Sequence, residues 1–265
     1  MNDIETPKKI KRALITGSYR GTGKTTAKIL IKEGMDVFIH GMDTKATRKT
    51  AKEVGSDYWV VGDLESDIGA NEVFNQIEGK GGGIDILINN YGSAGFGKWL
   101  TTKTSDWVEM YEKNVLSAVR LIQLLVPEMI RKKQGRIIQI GTIGSFRPNS
   151  VMPHYYASKS AMANMTASLA KELANTGITV NTISPGLIKT PELEQYYRDK
   201  AKRKGWGESW DQIEKAIVEN EFKNPVGRIG RCEDVGHLVA FLCSDNASFI
   251  NGQNICVDGG AIDIV

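Results

Sequence analysis

Tyr155 and Lys159 stand four residues apart. On a helix, that spacing puts both side chains on one face. A free phenol has a pKa of about 10 and exchanges protons poorly at neutral pH. A nearby ammonium favours the phenolate and lowers that pKa. A tyrosine tuned in this way can protonate a carbonyl oxygen as hydride arrives, or deprotonate an alcohol in reverse. Taken alone, the pair is equally a packed ring with a lysine stem beside it.

The second group of interest runs Ile-Thr-Gly-Ser-Tyr-Arg-Gly-Thr-Gly-Lys-Thr-Thr-Ala, from Ile15 to Ala27. Gly23-Lys24-Thr25 ends it as a nucleoside-triphosphate loop would end. Such a loop needs its first glycine at position 18, which is Ser18; the glycine is Gly17, one place early. The register excludes that chemistry. What remains is Gly17-x-x-x-Gly21-x-Gly23 between an apolar run and an amphipathic one, the setting of a dinucleotide turn. Gly17 permits the turn, Gly21 lets the backbone approach a pyrophosphate, and Gly23 lets the helix pack on the sheet. The helix start then offers unpaired N–H groups to phosphate.

These groups need a frame. Short runs rich in Ile and Val, at 13–16, 37–40, 58–61, 84–89, 136–140, 179–183 and 254–257, have the character of strands buried on both faces. Helical patterns lie between them at 25–33, 44–54, 68–78, 106–132, 156–174 and 233–243. This alternation predicts one α/β domain over residues 1–265: a doubly wound, seven-stranded parallel sheet with helices on both faces. Unusual polar groups follow nearly every strand: Gly17, Asp63, Asn89-Asn90-Tyr91-Gly92, Gly141-Thr142 and Ser184-Pro185-Gly186. Ligands bind such sheets beyond the strand carboxyl ends. One segment breaks the rhythm. Residues 190–224, polar and helix-prone with Trp206 and Trp210, are expected to form an ordered lid over the substrate.

Composition narrows the field further. The net charge of +3, from 34 basic and 31 acidic residues, is too balanced to argue for nucleic acid or a membrane surface. Residues 1–12 are polar and lysine-rich, so no secretory leader is expected. Cys232, Cys243 and Cys256 lack metal spacing and are expected as small buried hydrophobes in a reducing cytoplasm, with no metal site.

Thr16-Gly17-x-x-x-Gly21-x-Gly23, Asn89-Asn90-x-Gly92, Tyr155-x-x-x-Lys159 and Pro185-Gly186 occur in that order. Together they resemble the short-chain dehydrogenase/reductases, with the branch of 3-oxoacyl-carrier-protein reductases nearest in character, over about residues 11–260. The resemblance implies that Tyr155 is the catalytic acid and that Lys159 holds the nicotinamide ribose. It places Thr142 where the family has a serine, thirteen residues before the tyrosine, with Ser145 in reserve. Asn114 would support a water beside the lysine. Dinucleotide contacts are implied along Gly17, Ser18, Tyr19, Arg20, Gly21, Thr22 and Gly23; Gly41 and Met42; Asp63 and Leu64; Asn90, Tyr91 and Gly92; Tyr155 and Lys159; and Pro185, Gly186, Ile188 and Thr190. Tyr91 departs from the family's alanine. It either stacks near the adenine side or narrows the site.

Position 41 is where NAD-specific members carry an acid, and here it is glycine. Arg20 is placed as in NADP-preferring members, and a guanidinium suits phosphate geometry. NADP(H) is the expected cofactor and NAD(H) the alternative, with Asp43 either opposing a 2′-phosphate or capping the next helix. The expected substrate is a carbonyl or secondary alcohol on a small molecule, with an acyl carrier protein as a further partner through Arg131-Lys132-Lys133. The rival function is dinucleotide sensing without turnover. His40 reads as a strand-end residue and His154 as a neighbour of the acid. The small residues of the 156–174 helix suit close subunit packing, and the family implies a homotetramer.

Overall fold

Runs of Ile, Leu and Val become strands wherever both faces can be covered. The computed structural model describes residues 11–263; most of the polar opening segment, on which the expectation of no leader rests, lies outside them. The strands are β1 (Arg12–Ile15), β2 (Asp36–Gly41), β3 (Trp59–Val61), β4 (Ile86–Asn89), β5 (Gly135–Ile140), β6 (Ile178–Pro185), β7 (Ile188–Lys189), β8 (Gly230–Arg231) and β9 (Asn254–Val257). Seven form one sheet in the order β3-β2-β1-β4-β5-β6-β9, every neighbour parallel. All seven carboxyl ends therefore share one rim. The order reverses direction between β1 and β4, the switch point at which such sheets open a crevice.

The helices are α1 (Gly21–Lys32), α2 (Thr44–Val54), α3 (Asp67–Glu78), α4 (Thr104–Tyr111), α5 (Ser117–Lys132), α6 (Pro153–Glu172), α7 (Pro191–Lys204), α8 (Trp210–Asn220) and α9 (Cys232–Cys243). Alternate strand residues feed two cores. Leu14, Phe38, Leu87 and Ile137 pack with Val73 and Ile77 of α3 and Leu121, Leu125 and Met129 of α5. Ile15, Ile39, Ile88 and Ile138 pack on the other face with Leu30 of α1, Val54 of α2 and Val239 of α9. Burial on both faces explains the unbroken apolar runs.

Three expectations need correction. The pattern at 106–132 is not one helix: α4 and α5 are joined by a π-helical turn, Glu112–Leu116, which widens one turn and sets Asn114 inward with no exposure. Helix α1 begins at Gly21, four residues earlier than predicted, because the glycines form its first turn. Cys232 and Cys243 are buried, but Cys256 is exposed, since β9 is an edge strand.

Residues 190–224 hold α7 and α8 around a small core of their own, Tyr197, Ala201, Ile213, Ile217 and Ile229. The β7–β8 pair closes the segment's base through Ile188–Gly230 and Lys189–Arg231. Trp206 and Trp210 pack on this core, and the Lys189 ammonium lies 4.1 Å from the Trp210 ring centroid. No helix among the described residues is long and apolar enough to cross a membrane, and no cluster of three metal-ligating side chains occurs among them.

Candidate active site

The rim gathers the polar groups that follow the strands. Gly17 turns with φ +61° after β1. A Cβ at Gly23 would lie 2.6 Å from Asn90 Nδ2 and 2.8 Å from the Ser18 Cα, so only glycine allows the first turn of α1 to sit this close. Asn90 braces the same loop: its Nδ2 donates to the Thr16 and Gly17 carbonyls at 2.8 and 3.3 Å. Arg20 occupies the N-cap of α1 without capping it, and the first turn carries no acidic residue. These uncapped N–H groups and the tight glycine packing fit a dinucleotide pyrophosphate.

Thr190, the N-cap of α7, brings its methyl within 3.8 Å of a Cβ built on Gly21. Arg20 pairs with Glu192 of the same helix at 3.0 Å, both side chains more than half exposed. The segment that starts at Thr190 thus rests on the phosphate turn.

Some expected contacts are not available. Ser18 is fully buried; its Oγ donates to the Ile15 carbonyl at 2.7 Å and its N–H to the His40 carbonyl at 2.9 Å. Both donors are spent inside the turn, so Ser18 shapes it from within. Leu64 is 1% exposed and its side chain belongs to the core, which leaves only its backbone for contact. The Tyr91 hydroxyl donates to Glu65 Oε1 at 2.6 Å, and its ring stands edge-on to His40. Burial first, and then Glu65, push its pKa far above the usual range, so it is a fixed donor. Asp43 caps α2 by accepting from the Ala46 N–H at 2.7 Å.

At the reacting end, Tyr155 and Lys159 both lie in α6. The Thr142 hydroxyl lies close enough to the Tyr155 oxygen to lower its pKa in part, and it accepts from the Gly144 N–H at 3.2 Å. Ser145, the reserve, has a buried Oγ with no partner among the described residues and is closed off from a substrate. Tyr156 is committed elsewhere: its oxygen accepts from Asn149 Nδ2 at 3.0 Å, and its ring fills the space beside Gly144. His154 is buried and packs on Trp107 with ring centroids 5.9 Å apart.

The expected lowering of the Tyr155 pKa by Lys159 is not found. Burial, with Tyr156 adding to it, raises that pKa to about 12, and the Thr142 hydroxyl offsets only part. The Lys159 ammonium instead donates to the Ile140 carbonyl at 2.8 Å and to Met162 Sδ at 3.5 Å. Its own burial lowers its pKa to about 8. The phenol is therefore protonated at neutral pH, the form that can give a proton away. Asn114 grips the loop after β4 by both ends of its amide, accepting from the Ser93 N–H at 3.1 Å and donating to the Ser93 carbonyl at 3.0 Å.

The sequence profile described as enoyl-(acyl carrier protein) reductase matches residues 17–261. The chain belongs to the short-chain dehydrogenase/reductase family. A 3-oxoacyl-[acyl-carrier-protein] reductase of Buchnera aphidicola is 34% identical over 94% of this chain and 96% of its own length. The enzyme of the same name from Aquifex aeolicus is 33% identical over 94% and 96%. The L-sorbose reductase of Gluconobacter frateurii, solved with NADPH and L-sorbose, matches with a TM-score of 0.89 at 29% identity, over 97% of this chain and 98% of that one. As a family member, the chain is an NAD(P)-dependent oxidoreductase acting on carbonyl and alcohol groups.

Within the family, a serine or threonine hydroxyl beside the tyrosine is a direct test of the geometry. Thr142→Val keeps shape and removes the hydroxyl beside Tyr155. Loss of one such donor costs about 10²–10³ in kcat. Steady-state turnover of the variant is expected in that range, and full turnover would remove Thr142 from the site. Sequence inspection missed Glu65 and Glu192 as site residues, because each takes its meaning from a partner remote in the chain: Tyr91 and Arg20.

Proposed function

We propose that the chain reduces a carbonyl with NADPH, or oxidises the corresponding alcohol in reverse. The observation that carries the reading is Tyr155 and Lys159 one turn apart on α6, with the Thr142 hydroxyl beside the Tyr155 oxygen. A bound nicotinamide supplies the hydride to the carbonyl carbon. Tyr155 gives its phenolic proton to the carbonyl oxygen, which Thr142 holds in place. The Lys159 ammonium offsets the negative charge left on Tyr155. Asn114, through Ser93, fixes the loop that closes this corner.

The 2′-phosphate preference rests on three residues. A Cβ at position 41 would lie 2.3 Å from Thr47 Oγ1 and 3.2 Å from the Tyr19 ring, so no acidic side chain fits there. The Asp43 carboxylate is occupied as a cap. Arg20 is exposed, and its guanidinium lies 5.1 Å from the Tyr19 ring centroid, within reach of that corner. A charge-assisted bond to phosphate contributes about 1.5–3 kcal/mol. Arg20→Ala is expected to lower kcat/KM for NADPH about 10- to 100-fold and to leave NADH nearly unchanged. Higher kcat/KM with NADH than with NADPH in the parent enzyme would overturn the preference.

The segment from Thr190 is read as a substrate lid. Phe96, on the loop after β4, stacks on Tyr196 of α7 with centroids 6.5 Å apart, which supports closure over the cleft. Docking of an acyl carrier through the basic triplet is not supported by position. Arg131 and Lys132 end α5, and β5 starts two residues after Lys133. That end of the sheet is opposite the rim, and Lys132 is already paired with Asp85 and Glu128. The assembly is read as a homotetramer, with Val108, Tyr111 and Leu116 exposed along α4 and the π turn as apolar contact surface. Light scattering should give four times the 29.2 kDa chain mass; a monomer would contradict it.

A further inference from the structure

We propose that His40 is a positioning residue for the cofactor-binding rim: a neutral imidazole that locks the phosphate turn to the end of β3. The proposal rests on the dinucleotide reading above. His40 closes β2 and is fully buried. Its Nδ1 accepts from the Gly17 N–H at 2.9 Å. That bond fixes the tautomer, because a backbone N–H needs an unprotonated acceptor. The proton then sits on Nε2, which donates to the Gly62 carbonyl at 3.1 Å.

The backbone of the same residue completes the lock. The Ser18 N–H donates to the His40 carbonyl at 2.9 Å, and the His40 N–H donates to Ser18 Oγ at 3.0 Å. Gly62 leads directly into Asp63 and Leu64, two of the implied dinucleotide contacts. One ring therefore spans the glycine turn after β1 and the end of β3. The edge-on Tyr91 ring, 6.2 Å away between centroids, covers its outer side.

The lock needs both ring nitrogens. An apolar replacement leaves the Gly17 N–H and the Gly62 carbonyl without partners, and the turn must then be ordered by the ligand itself. Asparagine restores an acceptor near the Nδ1 position and nothing at Nε2. The loss should fall on cofactor affinity and KM rather than on turnover at saturation, since His40 is remote from Tyr155. It should fall on NADPH and NADH together, because the turn holds what the two share.

The experiment measures dissociation constants for both nucleotides by nicotinamide fluorescence, with kcat at saturating cofactor, for the parent, His40→Leu and His40→Asn. His40→Leu is expected to weaken both nucleotides about tenfold or more, with the loss in KM exceeding that in kcat. His40→Asn, which restores only the acceptor for the Gly17 N–H, should recover part of the affinity and fall between the parent and His40→Leu. A folded His40→Leu enzyme with parental affinity overturns the proposal, and so does equal loss in both variants. Hydrogen exchange on the parent keeps the question open to test if either variant fails to fold. The Gly17 amide should be protected without cofactor, and free exchange there contradicts the lock. Should the parent bind neither nucleotide, the dinucleotide reading fails by itself, and Gly17 protection still tests the lock.

Discussion

Tyr155→Phe is expected to bind NADPH as the parent does and to lose turnover by about 10²–10⁴-fold, the range typical of a removed general acid. The substitution deletes one oxygen and keeps the ring, so packing beside Tyr156, 5.4 Å away between centroids, is preserved. The phenol is held protonated by burial, with a pKa pushed up to about 12. It is thus ready to donate and poor at accepting until charge develops nearby. In the proposed reaction, Lys159 is expected to set the upper pH limit. Its folded pKa is lowered to about 8 by burial, so the ammonium is present below that pH and is lost as pH rises through it. Reduction should therefore slow above about pH 8, because the phenolate left by proton donation loses its compensating charge. Rates that rise without limit through pH 9 would separate Lys159 from the reaction.

Gly144→Ala should be nearly as damaging without touching a reacting group. A Cβ at this position would lie 1.9 and 2.1 Å from two atoms of the Tyr156 ring. No rotamer change of a methyl relieves that contact, so the ring or the turn must move. Overpacking of this kind costs about 1–3 kcal/mol in stability. The functional loss should be larger, because the Gly144 N–H donates to Thr142 Oγ1 at 3.2 Å and a displaced turn carries Thr142 away from Tyr155. Turnover is expected to fall at least about 100-fold, since displacements near 1 Å cost that much, with NADPH affinity retained. Adding Tyr156→Ala should restore part of the rate, and the size of that recovery measures the coupling. An active Gly144→Ala single variant would show that the turn has slack the contacts do not.

Much of this arrangement was legible in the residues. Strands buried on both faces leave long apolar runs, so all seven sheet strands could be placed within about two residues. Parallel order followed from the alternation with helices, and the shared rim followed from parallel order. Tyr155 and Lys159 fall on one helix, as their spacing predicts; Thr142 was placed only through the family resemblance.

The π turn at Glu112–Leu116 was not legible. It adds a residue to a helix without a proline or glycine to announce it. That the side chains of Ser18 and Leu64 point into the protein was not legible either, because a motif gives position along the chain, not the direction of a side chain. The Tyr155 pKa was expected to fall, since proximity to an ammonium was weighed without desolvation. Burial dominates in the fold, and the ammonium spends its nearest bond on the Ile140 carbonyl. His40 looked like a strand end because its partners, Gly17 and Gly62, lie 23 and 22 residues away.

The central claim is proton donation from Tyr155 to a carbonyl oxygen coupled to hydride transfer, and a carbonyl panel with NADPH tests it most directly. Simple ketones, keto sugars, 3-oxoacyl thioesters and 2-enoyl thioesters would be offered to the parent and to Tyr155→Phe, with nicotinamide absorbance followed. The account predicts loss of absorbance with at least one carbonyl in the parent and almost none in the variant, both binding NADPH equally. Cofactor binding with no turnover on any member, reduction confined to the enoyl thioester, or undiminished turnover in Tyr155→Phe would contradict it.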